Sequence, residues 1–310
     1  MKKLFFFAAA ASVMLAACSS DNEEATVAEK SAIRLSTQSL TGMTRVGQSV
    51  QLTQFAASEN VGIFLAEDNA GSPVTSGTNV TTYAQPLTYV ADGAGNLANT
   101  QYWPQDGNGL HIFGVYPLAA ATAAAAYNAT GVTFTVAADQ TSDANYKASD
   151  LMTGLPTSGT NPVARTTANV PMTFTHLLTK VDVNLTAGSG FDDVSSAVVS
   201  ILGTKPTTTF SVQSTTVGAA SGSATDIVAG TGAANSAIIV PQTIAAGASF
   251  IKVTVGGGDY IYKMGADTDF DSKKCYTFNI TVNKTGLVLT TTQITDWTDG
   301  GTTPGNATLQ

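Results

Sequence analysis

The sequence predicts an all-β protein built from β-sandwich domains. Three observations carry this: apolar and polar residues alternate with a period of two in many short segments, glycine-rich turn signals separate those segments, and helical periodicity is scarce. The first candidate strand spans residues 32–40, with Ile33 and Leu35 on one face. Val61, Ile63 and Leu65 form the next alternating run. Residues 110–116 (LHIFGVY) are apolar on both faces, as expected of a central strand. Val132, Phe134 and Val136 alternate again. Leu177, Thr179, Val181, Val183 and Leu185 alternate with Lys180, Asp182 and Asn184, which predicts one buried and one wet face. Ile251, Val253 and Val255 run into Gly256-Gly257-Gly258-Asp259 and then Tyr260, Ile261 and Tyr262, a hairpin pattern. Tyr276, Phe278, Ile280 and Val282 alternate with Thr277, Asn279 and Thr281.

Other segments are less determinate. Residues 119–126 are alanine-rich after Pro117 and read as a turn of helix or a loop, and residues 193–201 as a short helix or a strand. Residues 68–82, 92–101, 156–169 and 213–236 read as linkers rich in Gly, Ser, Thr and Asn. No regular repeat is visible. A boundary falls near residue 170, because residues 162–171 are loop-like and the next strand starts at Thr173.

The first residues read as an export signal. Lys2 and Lys3 precede an apolar run over residues 4–15, broken only by Ser12. That run is too short to span a bilayer as a helix, which takes about 20 residues. Leu15-Ala16-Ala17-Cys18 follows and looks like the lipobox of bacterial lipoproteins. On this reading residues 1–17 are a signal peptide and Cys18 is the lipidation site, anchored by acyl chains at ~0.8 kcal/mol per buried CH₂. The competing reading is a plain signal peptide with a chance cysteine. Ser19-Ser20-Asp21-Asn22-Glu23-Glu24 resembles the signal that sends Bacteroidetes lipoproteins to the cell surface; otherwise it is a solvated tether. The expected location is the cell outer membrane.

Composition narrows the function classes. Charged residues make up 12% of the 310 residues and hydrophobic ones 43%, so a sizeable core can form. The formal net charge is −8, and from Val46 onward 9 basic residues face 18 acidic ones. An acidic body without a basic cluster argues against nucleic-acid partners and against docking on anionic lipid. With Cys18 lipidated, Cys275 has no partner and reads as a small buried hydrophobe.

No enzyme motif emerges. His111 and His176 lie in separate strands without metal-ligand spacing and read as hydrogen-bonded structural residues. No nucleophile elbow, phosphate loop or Cys–His dyad is visible. Asp267-Thr268-Asp269-Phe270-Asp271 begins like a calcium loop, but Ser272 and Phe278 occupy its glycine and glutamate positions, so it reads as a solvated acidic turn. Tyr83, Tyr89, Tyr102 and Trp103 offer either a sugar platform or core packing. The expectation is a protein that is not an enzyme and has no metal or cofactor.

Five segments in order resemble the fimbrillin family, subunits of Bacteroidales type V pili. They are Gln101-Tyr102-Trp103-Pro104 with residues 110–117; Asp150-Leu151-Met152; residues 174–181 (FTHLLTKV); Ile239-Val240-Pro241-Gln242; and Ile294-Thr295-Asp296-Trp297. The resemblance implies two transthyretin-like β-sandwich domains in tandem, over residues 46–172 and 173–310. Residues 18–45 would be a tether and a removable first strand. It further implies cleavage by an arginine-specific protease, then completion of the fold by a strand from a neighbouring subunit. Among Arg34, Arg45 and Arg165, Arg45 sits in a short polar stretch after the candidate strand, so cleavage is expected between Arg45 and Val46. Arg34 lies within the strand and Arg165 in a loop; the alternative is that Arg45 is an ordinary surface residue. The expected partners are other pilus subunits, the maturation protease, the lipoprotein export machinery and the outer membrane. The tail over residues 298–310 carries only Ala307 and Leu309 as apolar residues, few anchors for a donor strand. A second reading is a surface glycan-binding lipoprotein of a polysaccharide-uptake system, which needs an exposed aromatic platform.

Overall fold

Period-two alternation becomes strand after strand in the computed structural model, which describes residues 30–37, 55–73, 85–297 and 305–306. Cys18, Arg45, Val46 and Tyr83 fall outside the described residues. In chain order the first half forms β1 (Leu35–Thr37), β2 (Asn60–Asn69), β3 (Ser72–Pro73), β4 (Leu87–Ala91), β5 (Asn96–Ala98), β6 (Leu110–Tyr116), β7 (Val132–Thr135), β8 (Met152–Pro156) and β9 (Val170–His176). All but β7 join one sheet in the order β3-β2-β4-β5-β1-β9-β8-β6, and β2 also pairs with β6. The sheet therefore closes on itself through β2, whose first residues hold β4 while Gly62–Glu67 hold β6.

Closure explains why β6 is apolar on both faces. Leu110, Ile112 and Tyr116 point into one core with Val61, Ile63 and Leu65 of β2. Phe113 and Val115 point into a second core with Phe64 and Ala66. The intervening Gly114 lets the Phe174 ring lie against the sheet: a Cβ there would sit 2.5 Å from it, and one on the paired Gly154 2.7 Å.

The alanine-rich stretch is a helix, α1 (Leu118–Ala124), with Ala120, Ala121 and Ala124 buried. Its small side chains allow close approach to β2. A second helix, α2 (Asp143–Ala148), is capped by Ser142, whose hydroxyl accepts from the Asn145 N–H.

The second half begins with β10 (Thr179–Ala187), β11 (Val198–Thr204), β12 (Thr207–Phe210), β13 (Thr225–Thr231), β14 (Ala234–Ile239) and β15 (Gln242–Ile244). It continues with β16 (Ser249–Val255), β17 (Gly258–Lys263), β18 (Thr268–Phe270), β19 (Lys274–Asn283), β20 (Gly286–Asp296) and β21 (Gly305–Asn306). One sheet runs β14-β10-β19-β20-β21 and another β13-β11-β16-β17; β7 pairs with β12 and β15 with β18. The two larger sheets bury Val181, Val183, Phe278 and Ile280 against Val199, Ile201, Ile251 and Val253 in a single cluster. That cluster also takes in Phe64, Phe113 and α1, so the halves share a core.

Several local expectations change. Residues 213–236 contain β13 and the start of β14: their Thr, Ala and Gly content looks like linker, yet Ile227 and Ala229 are buried. Of residues 193–201, the strand alternative holds from Val198, where β11 begins after a loop over 193–197, and β9 starts at Val170 rather than Thr173. The expected wet face of β10 is not wet at its start. Lys180 and Asp182 are both buried, and the Lys180 ammonium lies 3.1 Å from the Asp182 carboxylate. Ser236 donates to that carboxylate at 2.5 Å and the Cys275 thiol at 3.3 Å. Two charges leave water here because they lie against each other and the carboxylate is further bonded by Ser236 and Cys275.

Cys275 is the buried residue its context suggested. Burial, reinforced by the Asp182 charge, pushes its thiol from 9.0 up to about 12. The folded thiol keeps its proton where an unfolded one would lose it. This contribution to stability is fully present below pH 9.0 and is lost as pH rises toward about 12. Accordingly, in a Cys18→Ser chain iodoacetamide should leave native Cys275 unlabelled at pH 8 to 9 and label it only in denaturant, a contrast readable by intact mass. Labelling of that native chain would contradict this burial.

Candidate functional site

The first strand is where the sequence expectations converge, and β1 occupies an inner position of its sheet. It runs antiparallel to β5, with Leu35 opposite Leu97, and parallel to β9, with Leu35 opposite Val170 and Thr37 opposite Met172. Backbone bonds fasten it on both sides. Ile33 N–H donates to Gln101 O at 2.8 Å and Thr37 N–H to Gly95 O at 2.7 Å. Ser31 O accepts from Trp103 N–H at 2.9 Å, and Arg34 O from Val170 N–H at 2.8 Å. Ile33 and Leu35 are 2% and 1% exposed, packed in a core with Phe55, Tyr89, Leu97 and Trp103. Alternation puts Arg34 on the outer face, where its side chain is exposed while its backbone stays tied to β9. Of the expected strand over residues 32–40, Leu35–Thr37 form β1 and Ala32 bridges Tyr102, while residues 38–40 lie outside the described residues.

Chemically, this arrangement is a slot. Without β1, β5 and β9 would present unpaired N–H and C=O groups beside open apolar pockets, both unfavourable in water. Any extended segment with alternating apolar residues answers both deficits.

The other highlighted residues sort clearly. Tyr89 and Trp103 are buried beside the slot, while Tyr102 is 43% exposed, so these aromatics do not line up as one platform. His111 Nε2 lies 2.8 Å from Asp68 Oδ1. Asp269 accepts from Thr243 Oγ at 2.6 Å and Asp267 from the Ala246 N–H at 2.8 Å, so these carboxylates brace turns. Among the described residues no group of three or more His, Cys, Asp or Glu side chains could hold a metal ion. No helix among them is long and apolar enough to cross a membrane. Arg165 is exposed in a loop, as expected.

One cluster escaped sequence reasoning. Asp150, His176 and Trp297 belong to three of the five motif segments and meet in space. His176 Nδ1 lies 2.7 Å from Asp150 Oδ1, and the imidazole stacks on the Trp297 indole at 4.1 Å and 8°. All three are buried. The shared order of the motifs was visible in sequence; their convergence was not, because no spacing encodes it.

The comparisons agree with this architecture. A model of fimbrillin-like proteins matches residues 44–297. Among solved structures, a candidate cell adhesion protein from Bacteroides uniformis is 22% identical, with a TM-score of 0.63, covering 87% of this chain and 98% of that one. Another from Bacteroides ovatus is 16% identical, with a TM-score of 0.63, covering 86% and 98%. At these identities the likeness shows the fold. No curated protein matches. With the family model spanning most of its length, the chain belongs to the fimbrillin-like family.

Proposed function

We propose that this protein is a structural subunit of a surface fimbrium, with a role in adhesion and biofilm formation. It is exported as a lipoprotein on Cys18 after removal of residues 1–17. A protease then cuts between Arg45 and Val46, β1 leaves with residues 18–45, and a strand from a neighbouring subunit takes its place. The remaining chain is two sandwich domains, residues 46–172 and 173–310 on the sequence reading, with β9 (Val170–His176) straddling that boundary and pairing in the first sheet. The observation that carries this reading is the inner position of β1, which lies between two strands that are otherwise unpaired on that side, with its anchors Ile33 and Leu35 in the core. Membership of the fimbrillin-like family supports it. The buried positions of Tyr89 and Trp103 lend no support to a glycan-uptake lipoprotein.

Intact mass and gel analysis of surface-extracted protein test the proposal. Treatment with an arginine-specific protease should yield a species starting at Val46 together with an SDS-resistant ladder, and Arg45→Ala should abolish both. A single lipidated species starting at Cys18, with no ladder after treatment, sinks it.

A further inference from the structure

Three turns of the second half border an open, shallow cleft of about 420 Å³, lined by Gly190, Phe191, Asp192, Gly256, Tyr260 and Lys284. The segment after β10 brings Phe191 and Asp192, the β16–β17 hairpin brings Gly256 and Tyr260, and the β19–β20 turn brings Lys284. Phe191 and Tyr260 stand perpendicular at 5.7 Å and 88°, forming an aromatic corner. Two glycines permit the corner and its rim: a Cβ on Gly256 would sit 2.9 Å from the Phe191 ring, and one on Gly190 2.8 Å from the Lys284 stem. Asp192 and Lys284 are exposed on the rim, and among the described residues neither has an ion-pair partner.

A carboxylate acceptor and an ammonium donor that leave each other unpaired suit a ligand offering both donors and acceptors. Aromatic rings beside them suit a ligand with an apolar C–H face. A pyranose has both properties, and the cleft volume lies within the range of small-molecule sites, roughly 300–1,000 Å³. We propose that this cleft binds a neutral pyranose unit, stacked in the Phe191–Tyr260 corner with its hydroxyls on Asp192 and Lys284. The site goes beyond strand exchange: neither β1 nor its neighbours contribute a residue, so it stands or falls separately from assembly.

Amide NMR of the full chain, titrated with the methyl glycosides of galactose, glucose, mannose and N-acetylglucosamine, is the test. At least one glycoside should shift the amides of Gly190, Gly256 and Lys284 saturably. Tyr260→Leu and Asp192→Ala should each weaken that binding about tenfold, as loss of a stacking ring or an acceptor does, with the rest of the spectrum unchanged. Lack of any saturable shift at millimolar glycoside overturns the proposal. So does a shift that both variants leave intact, or one produced by free glycine or lysine and by none of the sugars.

Discussion

Deletion of residues 1–45 should leave a chain that binds an apolar dye and self-associates, and a synthetic peptide of residues 30–45 should reverse both effects. The magnitude follows from what β1 contributes. Ile33 and Leu35 are almost wholly buried, which is worth roughly 1.5–3 kcal/mol for each side chain. Gly95 O, Gln101 O and Val170 N–H lose the partners that β1 supplies, and an unpaired buried group costs about 1–3 kcal/mol. Together these approach the whole stability of an ordinary domain, about 5–15 kcal/mol. The truncated chain should therefore melt far below the full one, and the peptide should restore the melting temperature in proportion to its occupancy. A peptide with both anchors replaced, Ile33→Asp and Leu35→Asp, should fail to do so. A truncated chain that stays monomeric, dye-negative and equally stable would show that the slot is not an energetic demand.

The second large effect is expected at the buried pair. Asp150→Ala should destabilise the protein by about 1–3 kcal/mol, the usual cost of leaving a buried hydrogen-bonding group without its partner. Asp150 and His176 are 1% and 4% exposed, so bulk water does not reach the intact pair. Asp150→Asn should lose less, because an amide can still bond the imidazole. The double variant Asp150→Ala with His176→Phe should recover part of the loss, since the ring stacked on Trp297 is kept and the orphaned polar atoms are removed. Denaturant melts of the wild type, Asp150→Ala, His176→Phe and the double variant provide the double-mutant cycle. Additive losses would mean that the 2.7 Å contact carries no coupling.

The sequence announced the strands whose side chains alternate by size and polarity, such as β2, β10, β16 and β19. It concealed strands made of small residues: Ala, Gly and Thr in β13 look like linker until Ile227 and Ala229 are seen to be buried. It also misassigned the polar face of β10. Period-two patterning tells which residues share a face and says nothing about what covers it; Lys180 and Asp182 are polar yet enclosed because they satisfy each other and Cys275 lies opposite. The slot was partly legible. Residues 32–40 read as a strand with Ile33 and Leu35 as its anchors, but a place between β5 and β9 depends on pairings with Leu97 and Val170, far along the chain. The meeting of Asp150, His176 and Trp297 depends on such distant contacts entirely.

Because β1 runs antiparallel to one neighbour and parallel to the other, its slot has a direction. Antiparallel bonds alternate between narrow and wide spacing, whereas parallel bonds are even and slanted. A strand entering the wrong way round would meet each pattern on the wrong flank. A fibre joined through such slots would have unlike ends: one exposing an empty slot, the other a strand with nowhere to go. Each end would then take a new subunit through a different half of the joint: a donated strand at one, an open slot at the other.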